Sequence, residues 1–156
     1  MEKFWFRECV PGRRFIIKLW PGIKIAAALV EFARAKNLAF ASVISAVGSV
    51  RDVEFTSIRP GANLPVLNGQ LNTNRVEGPL ELLGLEGNIA PTSGKVLEGQ
   101  FYILGSGATG EVVGGHLVDA EVFAPCELVL AEYLVEGVER YRSATTGVDT
   151  LFIEDW

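Results

Sequence analysis

Apolar residues recur with two periods along this chain, and each period predicts its own kind of element. In IKIAAALVEFARAK (23–36) the larger apolar groups fall at Ile25, Leu29, Phe32 and Ala33, while Lys24, Glu31, Arg34 and Lys36 lie mostly off that stripe. A spacing of 3.6 residues with one apolar face predicts an amphipathic helix. Asn37 is its expected stop, because asparagine tolerates the left-handed conformation that closes helices. The other apolar stretches read as strands: RRFIIKLW (13–20), FASVISAVGSV (40–50), DVEFTSI (52–58), PLELLGLEGNIA (79–90), GQFYILG (99–105), EVVGGHLVDAEVF (111–123) and ELVLAEYLV (127–135). Several alternate with period two, as in Leu80 and Leu82 against Glu81 and Leu83, and Gly-, Pro- or Asn-bearing turns join them. The segment 59–78 has no sustained period and is full of Pro, Gly and Asn, which predicts an excursion loop.

One helix with a single greasy face needs a sheet to lie on. The pattern therefore predicts an α+β fold, a curved, mostly antiparallel sheet of about seven or eight strands packed on one main helix. A chain of 156 residues with no linker, repeat or low-complexity tract reads as one domain over 1–156. Strand edges and an apolar outer face would remain uncovered, and a closed ring of subunits is one way to cover them.

Composition narrows the function. Nineteen acidic residues against fourteen Lys and Arg give a formal charge of −5. Generic phosphate binding rests on clustered cations, so nucleic-acid contact would have to be local or made through a partner. Nothing approaches the roughly 20 apolar residues of a membrane span, and MEKFWFRECV lacks the apolar core of a signal peptide. A cytoplasmic protein with no membrane partner is the expectation. Cys9 and Cys126 stand far apart without a CxxC, and both read as reduced, buried strand residues. Trp5, Trp20 and Trp156 read as packing or interface aromatics. GSGATGEVVGG (105–115) resembles a phosphate-binding loop but has no Gly-Lys-Ser/Thr and no following helix, so a hairpin is expected there. Glu81 and Glu86, five apart, should fall on opposite faces of a regular strand, which disfavours a paired-carboxylate site.

The motifs PGRRFIIKLWPGIKIAAALVEFARAKNL (11–38), EGPLELLGLEGNIA (77–90) and GEVVGGHLVDAEVFAPCELVLAE (110–132) together resemble the plants-and-prokaryotes-conserved (PPC) domain family, over roughly residues 11–135. RYRSATTGVDTL (140–151) resembles the ending of many prokaryotic members. The resemblance implies a homotrimer of α+β subunits whose fold is shared with acetolactate decarboxylase. Plant members bind A·T-rich DNA through AT-hooks, with this domain serving assembly and partner binding. Stand-alone prokaryotic members are commonly labelled DNA-binding by analogy. This chain contains no Arg-Gly-Arg-Pro hook.

His116, the chain's single histidine, follows Gly114 and Gly115. The resemblance places a His-x-His pair on the preceding strand of many prokaryotic members, where three imidazoles can converge on a metal such as zinc. The corresponding residues here are Gln100 and Tyr102. An amide and a neutral phenol are poor zinc ligands, so no metal or other cofactor is expected. His116 alone would be a weak ligand, needing Glu127, Glu81 or a neighbouring subunit. Two other roles for His116 stay open. In one, the glycines let two backbones or subunits approach closely and the ring is satisfied within a trimer cleft. In the other, His116, Gln100, Tyr102 and Glu127 are the convergent polar groups of a small-ligand pocket.

Two functions of different class follow. One is a homotrimeric assembly or interaction module, associated with DNA-linked regulation through partners and without chemistry of its own. The alternative is a small-molecule-binding protein or lyase-like enzyme that uses the cleft around His116.

Overall fold

The stretches 40–50 and 52–58 run on as one strand, as do 111–123 and 127–135. The structure, a computed structural model, describes residues 3–153, so Trp156 lies outside the described residues. Strand β1 (Val10–Leu19) leads through the Pro21-Gly22 turn into helix α1 (Ile25–Ala35), and β2 (Ala41–Ile58) follows. Then come β3 (Leu71–Val76), β4 (Leu80–Pro91), β5 (Leu97–Ser106) and β6 (Val112–Leu134). A hairpin of β7 (Val138–Arg142) and β8 (Asp149–Ile153) completes the described residues. The α+β class and the approximate strand number are as the sequence pattern predicts.

Bulges fuse the four predicted strands into two. Asp52 takes a left-handed φ of 47°, which lets β2 kink without breaking its pairing to β6. Pro125 sits inside β6 where the β2 register shifts, the place in a sheet that tolerates a missing N–H. Opposite it, a Cβ on Gly48 would lie 2.7 Å from the Cys126 sulfur, so only glycine allows the two strands to close there.

The main sheet runs β1-β6-β5-β4-β2-β3, and β2 pairs with β6 as well as with β4. Strands β2, β4, β5 and β6 thus form a closed circuit of antiparallel pairs, with β1 and β3 attached at the rims. The circuit encloses Leu82, Leu85, Ile89, Phe101, Ile103, Leu117, Val122 and Leu128. Helix α1 adds Ile25, Leu29 and Ala33, all fully buried, and Phe32 meets Phe15 edge to face at 5.1 Å. Asn37 closes the helix at φ 54°, as its sequence position predicts.

Three local expectations are corrected. The last third of the 59–78 segment is β3, paired with the C-terminal half of β2. Its LNTNRV is polar because an edge strand keeps little of itself out of water. Glu81 and Glu86 both face outward, because a bulge between Leu82 and Gly84 resets the alternation of β4. Cys126 is buried as expected, whereas Cys9 is exposed and precedes β1. No helix among the described residues is long and apolar enough to cross a membrane.

Candidate functional site

His116 lies where β6 is gripped from both sides. Its strand neighbours are Tyr102 on β5 and Thr56 on β2. A Cβ on Gly114 would lie 2.1 Å from the carbonyl oxygen of Ile103, and one on Gly115 would lie 2.6 Å from that of Thr56. The two glycines therefore let three backbones approach more closely than side-chain-bearing residues permit. Gly87 serves the same end on β4, where a Cβ would lie 2.0 Å from the Gln100 carbonyl oxygen.

Cross-strand neighbours share a face, so Glu86, Tyr102, His116 and Thr56 make one row across the outside of β4, β5, β6 and β2. The Tyr102 and His116 rings stack at 5.1 Å and 22°. Tyr102 is exposed and His116 half-buried. Burial holds the imidazole below the ordinary histidine value of 6.5, with the carboxylate of Asp149 opposing and the charge of Arg140 reinforcing the shift. At neutral pH the ring is uncharged.

Gln100 follows the same face two residues before Tyr102 and stands opposite Asn88. Both amides receive Arg140, a β7 residue only 4% exposed. Its Nη1 donates to Gln100 Oε1 at 2.8 Å and its Nη2 donates to Asn88 Oδ1. Gln100 Nε2 in turn donates to the backbone carbonyl of Asp149 on β8 at 3.2 Å. Among the described residues the buried Nε of Arg140 has no hydrogen-bond partner and no carboxylate forms an ion pair with the guanidinium. The β7–β8 hairpin is thus pinned to the Asn88–Gln100 pair beside the row, and a parallel bridge from Arg140 to Thr92 supports it.

The structure brings together His116, Tyr102 and Gln100, with Gly114 and Gly115 beneath them. It does not bring Glu127. That residue lies eleven positions further along β6, between Lys18 of β1 and Val47 of β2, which at ~3.3 Å per residue puts it as much as about 36 Å away. Glu81 is also apart, opposite Ser106 at the far end of β5. Among the described residues no three His, Cys, Asp or Glu side chains converge as a metal site would need. Arg140, Asn88 and Asp149 are the participants that sequence reasoning missed. Asn88 had a signal, since it alternates with buried Ile89 and Leu85 in the LEGN motif. Arg140 had only the alternation of VERYR, and nothing local ties that strand to β4 or β5.

The family model of the Plants and Prokaryotes Conserved (PCC) domain matches residues 6–134. Among solved structures, a metal-containing protein from Archaeoglobus fulgidus is 28% identical with a TM-score of 0.82, covering 96% of this chain and 99% of its own. A plant- and prokaryote-conserved protein from Pyrococcus horikoshii is 20% identical with a TM-score of 0.78, covering 96% and 100%. A Bacteroides thetaiotaomicron protein described as a "putative DNA-binding protein" is 16% identical with a TM-score of 0.77, covering 94% and 99%. No curated protein matches the sequence. With the family model spanning most of its length and the fold matching, the chain belongs to the Plants and Prokaryotes Conserved domain family.

Proposed function

We propose that this chain is a homotrimeric assembly and interaction module that serves DNA-linked regulation through partners and performs no chemistry of its own. The observation that carries this reading is the apolar outer surface of β1 and its neighbours. Ile16 on the rim strand is 89% exposed and stands opposite Val129, in a row with Ser45. The adjacent row is Lys18, Glu127 and Val47, and Trp20, Ile44 and Val47 are exposed beside it. A sheet rim with large apolar groups in water invites association, and a cyclic assembly covers a rim and a face together. Glu127, remote from His116, belongs to this surface in our reading.

The DNA association rests on the description of the Bacteroides relative. A charge of −5 supplies no general attraction for phosphate, which assigns the duplex contact to a partner. The metal of the Archaeoglobus relative does not carry over, because the groups beside His116 are an amide already engaged by Arg140 and a phenol. A small-ligand site at His116 is the second reading, favoured by the half-buried neutral ring with exposed Tyr102 stacked on it. A compound that raises the melting temperature of the native chain but not of His116→Ala would bring that reading forward.

Titration of the isolated protein into a fluorescent A·T-rich duplex tests the partner-dependent function. Weak anisotropy change that disappears as salt rises is expected. A tight, sequence-selective complex at physiological salt would contradict it.

A further inference from the structure

We infer that Arg140 is the resident cation of the His116 site, holding with a guanidinium the place that a metal ion would need. The inference stands on the packing of β4, β5 and β7 and is independent of the proposed assembly. Position 100 is the one whose side-chain head would have to turn toward a shared ion, together with those at 102 and 116. Here that head is a carboxamide with both ends committed, Oε1 to Arg140 and Nε2 to the Asp149 carbonyl. The same guanidinium reaches across to Asn88, so one planar group bridges two strands of the main sheet from a third.

Arginine suits this task in a way lysine does not. Its donors diverge in a fixed plane and can meet two amide oxygens at once, whereas an ammonium is a single point. It is buried with no ion pair among the described residues, Glu98 and Asp149 acting on it from beyond ion-pair reach, and its own charge lowers the His116 value against the opposing Asp149. A divalent ion brought to residues 100, 102 and 116 would meet that fixed positive charge at hydrogen-bond range of the residue 100 head, and like charges that close repel. Arg140 and a metal are therefore alternatives at this place. Arg140 also latches the β7–β8 hairpin to the sheet, so the hairpin is held without any bound ion.

Zinc calorimetry on metal-stripped protein tests the inference across five chains: native, His116→Ala, Gln100→His/Tyr102→His, that double variant with Arg140→Gln, and the triple variant with His116→Ala. Only the triple variant is expected to bind zinc, and its site is expected to vanish with His116→Ala. Zinc binding by the native chain that depends on His116 overturns the inference. So does a double variant that binds as tightly as the triple, or a triple variant that keeps its circular dichroism and takes no zinc. If loss of the guanidinium unfolds the chain, Arg140→Lys in the double background decides. It is expected still to exclude zinc while amide exchange in 138–153 speeds up about tenfold or more, because the second bridging bond is gone. Zinc binding by that variant, or hairpin exchange unchanged from the native chain, overturns the inference.

Discussion

The carboxylate of Asp119 and the backbone N–H of Ala26, ninety-three residues apart in sequence, meet at 2.9 Å. The second oxygen receives the N–H of Ala27 at 3.4 Å. Lys24, at the start of α1, offers no side-chain cap, and the first turn carries no acid of its own. The strand that bears His116 therefore supplies, three residues later, the acceptor that the helix needs.

Replacing Asp119 by alanine should destabilise the chain by about 1 kcal/mol, the usual cost of losing an N-terminal cap. Asparagine keeps an acceptor and should recover most of the loss. Urea unfolding of the two variants beside the native chain checks the pair, and equal midpoints for all three would remove Asp119 from this role.

Glycine substitutions should divide sharply by position. Alanine at Gly87 or Gly114 would place its Cβ far inside van der Waals contact with a backbone carbonyl oxygen, at 2.0 and 2.1 Å respectively. Backbone cannot rotate aside, so the cost should reach or exceed the ~1–3 kcal/mol typical of overpacking. Gly69 has nothing within 4 Å and no positive φ, so alanine there should stay within ~0.5 kcal/mol of native. Thermal unfolding of the three variants separates the classes.

Acid should loosen the junction of β1 with β6. Three donors of Arg13 converge on Glu132, its Nε at 2.8 Å, Nη2 at 3.0 Å and backbone N–H at 3.0 Å, and Gly12 leaves the room the carboxylate needs. Hydrogen bonding to Arg13 holds the Glu132 carboxyl down at about 2, from an ordinary 4.5. A depressed acid stabilises the fold fully above its unfolded value, and the contribution fades as pH falls from 4.5 toward 2. Glu132→Gln should melt lower at neutral pH and lose less on acidification. Parallel melting-temperature profiles for the variant and the native chain would contradict this.

His116 gives a single imidazole resonance to follow by NMR, since the chain has no other histidine. Its midpoint should lie below 6.5, with burial the main cause. The neutral ring is the form the fold prefers, so its contribution is complete above 6.5 and is lost as pH falls through the native midpoint. Arg140→Gln should raise the midpoint and Asp149→Asn should lower it, matching the signs of their charges. A native midpoint at or above 6.5 would contradict the burial of this ring.

Local pattern made much of this fold legible. The stripe through Ile25, Leu29 and Ala33 is the buried face of α1, and the alternation at Leu80 and Leu82 is the buried face of β4. The glycine-rich 105–115 stretch is the hairpin between β5 and β6, closed by Gly107 N–H on the Glu111 carbonyl at 2.9 Å. What escaped depends on geometry that no short window contains. Bulges at Asp52 and Pro125 look like strand ends in sequence, and the bulge at Gly84 reverses which face Glu86 takes. Strand β3 carries too little apolar signal to stand out, because it has a partner on one side only. The site was half legible: residues 100, 102 and 116 meet through strand pairing, but Arg140 arrives from a hairpin with no pairing rule to place it. Glu127 was assigned to the wrong end of β6 because a 23-residue strand separates residues that look close in sequence.

Sedimentation velocity on the native chain and on Ile16→Glu tests the central claim, assembly through the β1 surface. The native chain should sediment at three times the 16.9 kDa subunit mass, and Ile16→Glu, with its secondary structure intact, should shift toward the single subunit. A native chain that stays monomeric at micromolar concentration, or a variant that assembles as well as the native chain, would contradict the account.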